Sequence, residues 1–238
     1  MASAHAHDVH DDCTACSLMP GAFCHLSPDL RLALNAVKFA AIYPAGAVLF
    51  SEGDMPRGVF ILCSGRAKVT TSSTEGKTLI LRIAEPGEIL GVSATVNGKP
   101  YEVSAETLDP SQLTFVKGND FLRLLQTNAE LCLNAVRQLS AKYYDAQREI
   151  RSLGLAHTTT EKLAHLLLDW AAAHGTPTPR GTRLRVLYTH EQIAQMIGST
   201  RETVTRVLTE LRHGNVIEVK GSSLVLLDRY ALEAMITT

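Results

Sequence analysis

The sequence predicts an α+β chain: a β-rich sandwich or barrel first, one long helix next, and a helical C-terminal third closed by a hairpin. Three observations carry this. Between about residues 42 and 116 the chain is a series of short apolar or alternating runs, "AVLFSEGD", "GVFILCSGRAKV", "YEVSAETL" and "SQLTFV" among them, split by Gly, Asp, Pro and Asn. Strands of this length at a spacing of ~8–12 residues form antiparallel sandwiches and barrels. Residues 129–153 then run without a Gly or Pro, as a long helix requires. Finally, "THEQIAQMIGSTRETVTRVLTELRHGNVI", residues 189–217, holds two capping-box spacings, Thr189 with Gln192 and Ser199 with Glu202, each of which marks a helix start.

With 238 residues, 45% of them hydrophobic, the chain buries a substantial core, and its length fits two moderate domains. A formal net charge of −1 excludes a globally basic, nucleic-acid-coating protein, so any nucleic-acid surface is local. No apolar run approaches the ~18 residues of a membrane span, and "MASAHAHDVHDD" has neither the apolar core nor the basic start of a secretory signal. The expectation is a cytoplasmic protein with no membrane partner. In a reducing compartment five cysteines, an odd number, argue against a disulfide framework; metal ligation, redox sensing or simple burial remain. The chain has no Gly-rich phosphate loop, nucleophile elbow or HExxH helix and reads as non-enzymatic.

Residues 1–27, rich in Ala, His, Asp and Cys without periodicity, read as a leader. "SPDLRLALNAV" offers Ser27 as an N-cap, Pro28 at the first helical position and Leu30, Leu34 and Val37 on one face, which predicts a short helix. The β-rich stretch and the short helical pattern "GNDFLRLLQTN" complete a first domain over residues 28–128. In the long helix, Cys132, Val136, Leu139, Tyr143, Ala146, Ile150 and Leu153 alternate steps of four and three. This is a heptad seam, by which a helix pairs with a copy of itself. Residues 129–154 therefore read as a dimerisation helix and the protein as a homodimer; the alternative is a helix packed only on its own domain. The last domain, residues 155–238, starts with "TTTEKLAHLLLDWAAAHG", whose Leu163, Leu166, Leu167 and Trp170 form an apolar stripe. A connector, "TPTPRGTR", precedes the paired helices, and "NVIEVKG" and "SSLVLLD" follow them as a hairpin.

In the paired helices, Gly198 ends the first, whose buried face is Ile193, Ala194 and Ile197. In the second, Val204, Val207, Leu208 and Leu211 face inward, leaving Thr200, Arg201, Glu202, Thr205, Arg206 and Thr209 on the open side. A short helix, a Gly-containing turn and a second helix with polar readers outward is a helix-turn-helix arrangement. Arg can donate two hydrogen bonds to guanine N7 and O6, and Glu can accept from the cytosine amine. Thr189, Ser199 and the helix N-terminal amides suit phosphate oxygens. The competing reading is a helical hairpin whose charged face is merely solvated.

The order of a β-rich domain with "GDMPRGVFILCSGRAKV" and "IAEPGEILG", a long helix, and "IAQMIGSTRETVTRVL" followed by a hairpin resembles the Crp/Fnr family of bacterial transcription regulators. The resemblance implies a jelly-roll-like β-roll of the cyclic-nucleotide-binding type, a dimerisation helix and a C-terminal winged helix-turn-helix. It implies double-stranded DNA with a palindromic site as partner, together with RNA polymerase. Arg201, Glu202 and Arg206 match the base readers of the cyclic-AMP receptor branch, which implies GTG-like half-sites. A cyclic-nucleotide or other small-molecule signalling module without DNA readout is the alternative function.

Cyclic-nucleotide binders of this family place a glutamate and an Arg-Ser pair after "GE". Here Val92 stands at the glutamate position and Lys99 with Pro100 at the pair, and a lysine lacks the planar fork of arginine. Gly91, Val92, Lys99 and Tyr101 are expected to line an effector pocket, in which a lysine can still meet a phosphate as a point charge but the departures weaken the cyclic-nucleotide reading. Cys13, Cys16 and Cys24, with spacers of two and seven residues, are similar to one variant of the Fnr-type cysteine cluster, which implies a [4Fe–4S] centre. The Fnr pattern has its last cysteine where Thr114 stands here. Asp12 or a histidine as the fourth ligand, zinc held with His10 or His25, a reversible Cys13–Cys16 disulfide, and unligated thiols all stay open. Cys63 and Cys132 read as core residues.

Overall fold

The computed structural model describes residues 22–155, 158–186, 188–221 and 223–236, and the side chains of 149, 152, 153 and 155 lie outside that description. The chain divides into two units, Met1–Tyr144 and Asp145–Thr238.

The first unit runs α1 (Pro28–Asn35), β1 (Lys38–Tyr43), β2 (Val48–Phe50), β3 (Gly58–Ser64), β4 (Ala67–Ser72), β5 (Thr78–Ala84), β6 (Ile89–Leu90), α2 (Val92–Asn97), β7 (Ser104–Thr107), β8 (Ser111–Lys117), α3 (Gly118–Thr127) and the start of α4 (Ala129–Leu155). The strands form two four-stranded antiparallel sheets, ordered β1-β8-β3-β6 and β2-β7-β4-β5. The short strand runs predict such an antiparallel sandwich, and it has the jelly-roll-like β-roll form that the resemblance implies.

Strand β3 shows why its sequence, "GVFILCS", is apolar almost throughout instead of alternating. Phe60 and Leu62 point into the core between the sheets, with Phe50, Val69, Ala105 and Leu113. Val59 and Ile61 point into a second core, shared with Val116, Phe121, Leu124, Leu131 and Ala135. A strand buried on both faces has no solvent side on which to carry polar residues.

Three features of this unit differ from the sequence reading. Strand β1 starts at Lys38, directly after α1, because its Phe39, Ala41 and Tyr43 register against Phe115, Leu113 and Ser111 of β8. Helix α2 is too short for a helical period to be read. The segment assigned to the leader is structured from residue 22: Phe23 is fully buried against Phe121, ring centroids 6.2 Å apart, and its amide donates to the Gly87 carbonyl at 2.8 Å. Residues 1–21 lie outside the described residues.

Helix α4 is tied to the roll by polar contacts as well as by Leu131 and Ala135. The Ile89 amide donates to Gln138 Oε1 at 3.1 Å, and Gln138 Nε2 donates to the Gly87 carbonyl at 2.8 Å. Glu88, only 14% exposed, accepts from Lys142 Nζ at 2.8 Å and from Arg82 Nη1. At the start of the helix, hydrogen bonds from Ser27 hold the Glu130 carboxyl below its ordinary pKa.

The second unit contains α5 (Thr159–His174), β9 (Thr176–Thr178), β10 (Gly181–Arg185), α6 (His190–Ile197), α7 (Arg201–His213), β11 (Ile217–Lys220), β12 (Ser223–Leu226) and α8 (Arg229–Met235). Helix α5 packs on α6, α7, α8 and β10, burying Leu163, Ala164, Leu167, Leu168 and Ala171, while Leu166 and Trp170 of the expected stripe are only partly covered. The stretch "TPTPRGTR" is not a bare connector. It forms the β9–β10 hairpin, extending the β11–β12 hairpin into a sheet ordered β11-β12-β10-β9. Pro177 pairs opposite Thr182 on the edge strand, where a residue without an N–H is tolerated.

Candidate nucleic-acid interface and effector cavity

Helix α6 starts with the predicted capping box: the Gln192 amide donates to Thr189 Oγ1 at 3.2 Å, and the Thr189 amide donates to Gln192 Oε1 at 2.9 Å. Gly198, at φ 65°, ends it in the left-handed region, as a residue without Cβ permits. The next start differs from the reading. The Ser199 amide donates back to the Ala194 carbonyl at 2.9 Å and its hydroxyl meets Thr159 Oγ1 at 3.3 Å, so Ser199 closes α6. Thr200 caps α7 instead, its hydroxyl accepting from the Thr203 amide at 3.3 Å. Thr200→Ala is expected to destabilise the chain by about 1 kcal/mol, read as a lower thermal midpoint in calorimetry.

Helix α7 buries Val204, Val207, Leu208 and Leu211, the four predicted residues, and leaves Thr200, Arg201, Glu202, Thr205 and Arg206 exposed, with Thr209 half-buried. Arg206 Nη1 donates to Glu210 Oε1 at 2.8 Å, one turn along. The Thr205 and Thr209 hydroxyls donate to the carbonyls of Arg201 and Thr205, both at 2.8 Å. Arg201 and Glu202 have no side-chain partner among the described residues. Their full hydrogen-bonding capacity thus faces outward at the start of the helix.

One residue of this surface was missed in the sequence. His190 follows the cap Thr189, and its Nδ1 lies 2.8 Å from the Thr205 hydroxyl on α7. Its place directly after an N-cap, at the outer end of the motif, was the available signal. Behind it a cleft of about 180 Å³ is lined by Trp170, Tyr188, Arg212 and, from the β11–β12 hairpin, Gly221 and Ser223. That hairpin sits beside α7 as a wing.

In the first unit, Gly91, Val92 and Tyr101 line a cavity of about 140 Å³ together with Arg82, Gln138 and Lys142. Lys99 is exposed and stands apart from this lining. Tyr101 fills much of the space: its ring stacks on Phe50 at 4.1 Å and its hydroxyl donates to the Gly58 carbonyl at 3.0 Å. Burial pushes its phenol pKa up. Val92 is packed into the core shared with Phe121. Pockets for drug-sized ligands hold ~300–1,000 Å³, and this one is smaller, with no carboxylate at position 92 and no guanidinium at position 99. The lining carries a guanidinium at Arg82 and a carboxylate at Glu102 instead.

The seam residues of α4 are open. Val136, Leu139, Tyr143, Ala146 and Ile150 are exposed and Cys132 is half-buried; the Leu153 side chain lies outside the described residues. Of the three cysteines of the N-terminal cluster, Cys13 and Cys16 lie outside the described residues, and Cys24 is fully buried among Phe23, Leu26 and Leu30. Cys63 lies half-buried, its Sγ 3.5 Å from the Thr114 hydroxyl. Among the described residues no three His, Cys, Asp or Glu side chains are grouped as metal ligands.

Comparison with known proteins gives the same two parts in the same order. The cyclic nucleotide-binding domain family matches residues 41–128, and the Crp-like helix-turn-helix domain family matches residues 161–235. A global nitrogen regulator of Synechocystis is 28% identical over 192 residues, covering 79% of this chain and 84% of its own. The cAMP-activated global transcriptional regulator CRP of Pasteurella multocida is 25% identical over 186 residues, covering 77% and 88%. The solved structure of the c-di-GMP-responsive global regulator CLP of Xanthomonas campestris superposes with a TM-score of 0.73 at 22% identity, over 84% of this chain and 99% of that one, and shows the shared fold. With a β-roll, a long helix and a winged helix-turn-helix in sequence, and both domain families matched in that order, the chain belongs to the Crp/Fnr family of DNA-binding transcriptional regulators.

Proposed function

We propose that the chain acts as a homodimer through α4, reads a palindromic duplex with GTG-like half-sites through Arg201, Glu202 and Arg206, and engages RNA polymerase at the promoter. The observation that carries this is the outward, unpartnered pair Arg201 and Glu202 at the start of α7. Thr189, Ser199, Thr200 and Thr205 frame the pair, and phosphate contacts from such residues set register while base contacts set sequence. The exposed apolar seam of α4 supports the dimer, whose twofold axis a palindromic site mirrors. Fluorescence anisotropy of the full chain with a palindromic duplex tests the reading. Binding should weaken with salt along a log–log line and exceed that of a scrambled duplex. Equal affinity for both duplexes would remove sequence-specific readout and leave the signalling-module alternative.

The signal enters through the first unit. The cavity beside Gly91 and Tyr101 borders Gln138, Leu139 and Lys142 of α4, so an occupant touches the helix directly. Cyclic AMP is expected to give no saturable heat in titration calorimetry. A second input is supported by Cys24, which shares its apolar core with Leu131 and Ala135 of α4; chemistry at Cys13, Cys16 and Cys24 would then perturb the footing of that helix. Anaerobic purification with iron, sulfide and zinc assays on the parent and on Cys16→Ser separates cluster, zinc and bare thiols.

A further inference from the structure

The sheet β1-β8-β3-β6 carries three phenylalanines in one row. Phe39 of β1 stands opposite Phe115 of β8, which stands opposite Phe60 of β3, and residues directly opposite on paired strands share a face. It is the inner face, because Phe60 belongs to the core between the sheets. Exposure nevertheless rises along the row, from 9% at Phe60 to 55% at Phe39. The facing wall at this end is β2, three residues long, and the row stays open as a groove of about 760 Å³, within the size range of a small-molecule site. With Tyr43 and the stacked pair Phe50 and Tyr101, four of the chain's six Phe and two of its six Tyr line this one groove, yet Phe39 belongs to neither core of the unit. Phe39 and Tyr43 lie on the same face of β1, about 13 Å apart along an extended strand, with only the methyl group of Ala41 between them.

The rim of the groove is charged. Arg57 is exposed, and its guanidinium makes no hydrogen bond or ion pair among the described residues. Lys117 Nζ sits over the Phe39 ring, 5.3 Å from its centroid. Against these two cations the lining has one carboxylate, Asp54. No residue of α4 or of the turn between β6 and α2 lines the groove; it meets the cavity beside Gly91 only at Phe50 and Tyr101. We propose that the groove is a second small-molecule site, which takes an aromatic carboxylate: the ring lies on Ala41 between Phe39, Phe115 and Tyr43, and the carboxylate pairs with Arg57. Offset or edge-to-face contacts add to the burial of such a ring, and a guanidinium meets a carboxylate through two parallel hydrogen bonds. An aromatic-lined groove can also hold an organic cation, but the rim is positive on balance and the outer ring already has Lys117 as its cation. The site is independent of the DNA-binding reading above.

Titration calorimetry of the full chain with 2-naphthoate, and with trimethyl-2-naphthylammonium as its cationic counterpart, tests the site. The parent should bind the naphthoate saturably and give no saturable heat with the ammonium. Arg57→Gln should weaken naphthoate binding about tenfold, Arg57→Lys should recover part of that loss, and Phe39→Ala should weaken it about two- to tenfold. Both side chains are exposed, so the thermal midpoints of these variants should stay close to that of the parent. Ala41→Trp, which fills the slot and leaves Phe39 and Arg57 in place, should abolish binding. Parent-like affinity in both Arg57→Gln and Phe39→Ala would put the ligand elsewhere and overturn the proposal, as would preference for the ammonium. A parent that gives no naphthoate heat overturns it too, and a sedimenting mass that then falls in Phe39→Ala would assign the groove to a second copy of the chain.

Discussion

Arg201→Ala is expected to weaken binding to the palindromic duplex by about 1–3 kcal/mol per readout contact, a loss of ~5- to 150-fold, and to relax selectivity at one base pair of each half-site. The expectation follows from what Arg201 does not do in the free protein. It is exposed at the first position of α7 and has no side-chain partner among the described residues, so truncation breaks nothing internal and the thermal midpoint should stay close to that of the parent. Arg206 differs, because its guanidinium is held by Glu210 at 2.8 Å and must leave that pair to reach a base. Competition binding against duplexes changed one base pair at a time checks the assignment. An Arg201→Ala chain that discriminates every position as the parent does would show that the readers lie elsewhere.

The double substitution Tyr143→Glu with Ile150→Glu is expected to convert the dimer into monomers. In the single chain these side chains are 66% and 72% exposed, so carboxylates there cost little folding stability. In a paired helix they would place four like charges along one apolar seam, where burial of unpaired charge is strongly unfavourable. Sedimentation equilibrium should give a mass near 25.8 kDa for the variant and twice that for the parent. Affinity for the palindrome should collapse with the mass, since one recognition helix then binds alone. A variant that still sediments at twice the chain mass would place the pairing surface off this seam.

The recognition helix was legible almost residue by residue, because its apolar positions recur at helical spacing and its caps are chemically distinctive. Even there a single hydrogen bond redirected the outcome. Ser199 and Glu202 have the spacing of a box, yet the Ser199 amide and hydroxyl are taken by Ala194 and Thr159, and no local pattern announces a partner forty residues away. The β9–β10 hairpin was hidden by its prolines, which read as a connector until Pro177 is seen on an edge. Phe23, Cys24 and Leu26 were masked by composition, since three apolar residues after a His- and Cys-rich run carry no period; only the roll supplies the core that they complete. His190 escaped although its place after the N-cap was visible, because its contact is with a hydroxyl on the following helix. Tyr101 lines the cavity beside Gly91, but that it fills the space depends on stacking with Phe50, which sequence separation conceals.

Strand β3 is a partition between two rooms. One side of it faces the core that contains Phe50 and Tyr101, which line the cavity beside Gly91, and the other faces the core that contains Leu131 and Ala135, where α4 is seated. Protein interiors are nearly incompressible on the scale of a side chain, so a wall one backbone thick cannot be pushed from one room without being felt in the other. The cavity and the seat of the long helix therefore share one wall. A substitution at Phe60 or Leu62 that leaves the cavity residues untouched should still change how firmly α4 is held, and hydrogen exchange at the Leu131 and Ala135 amides would register it.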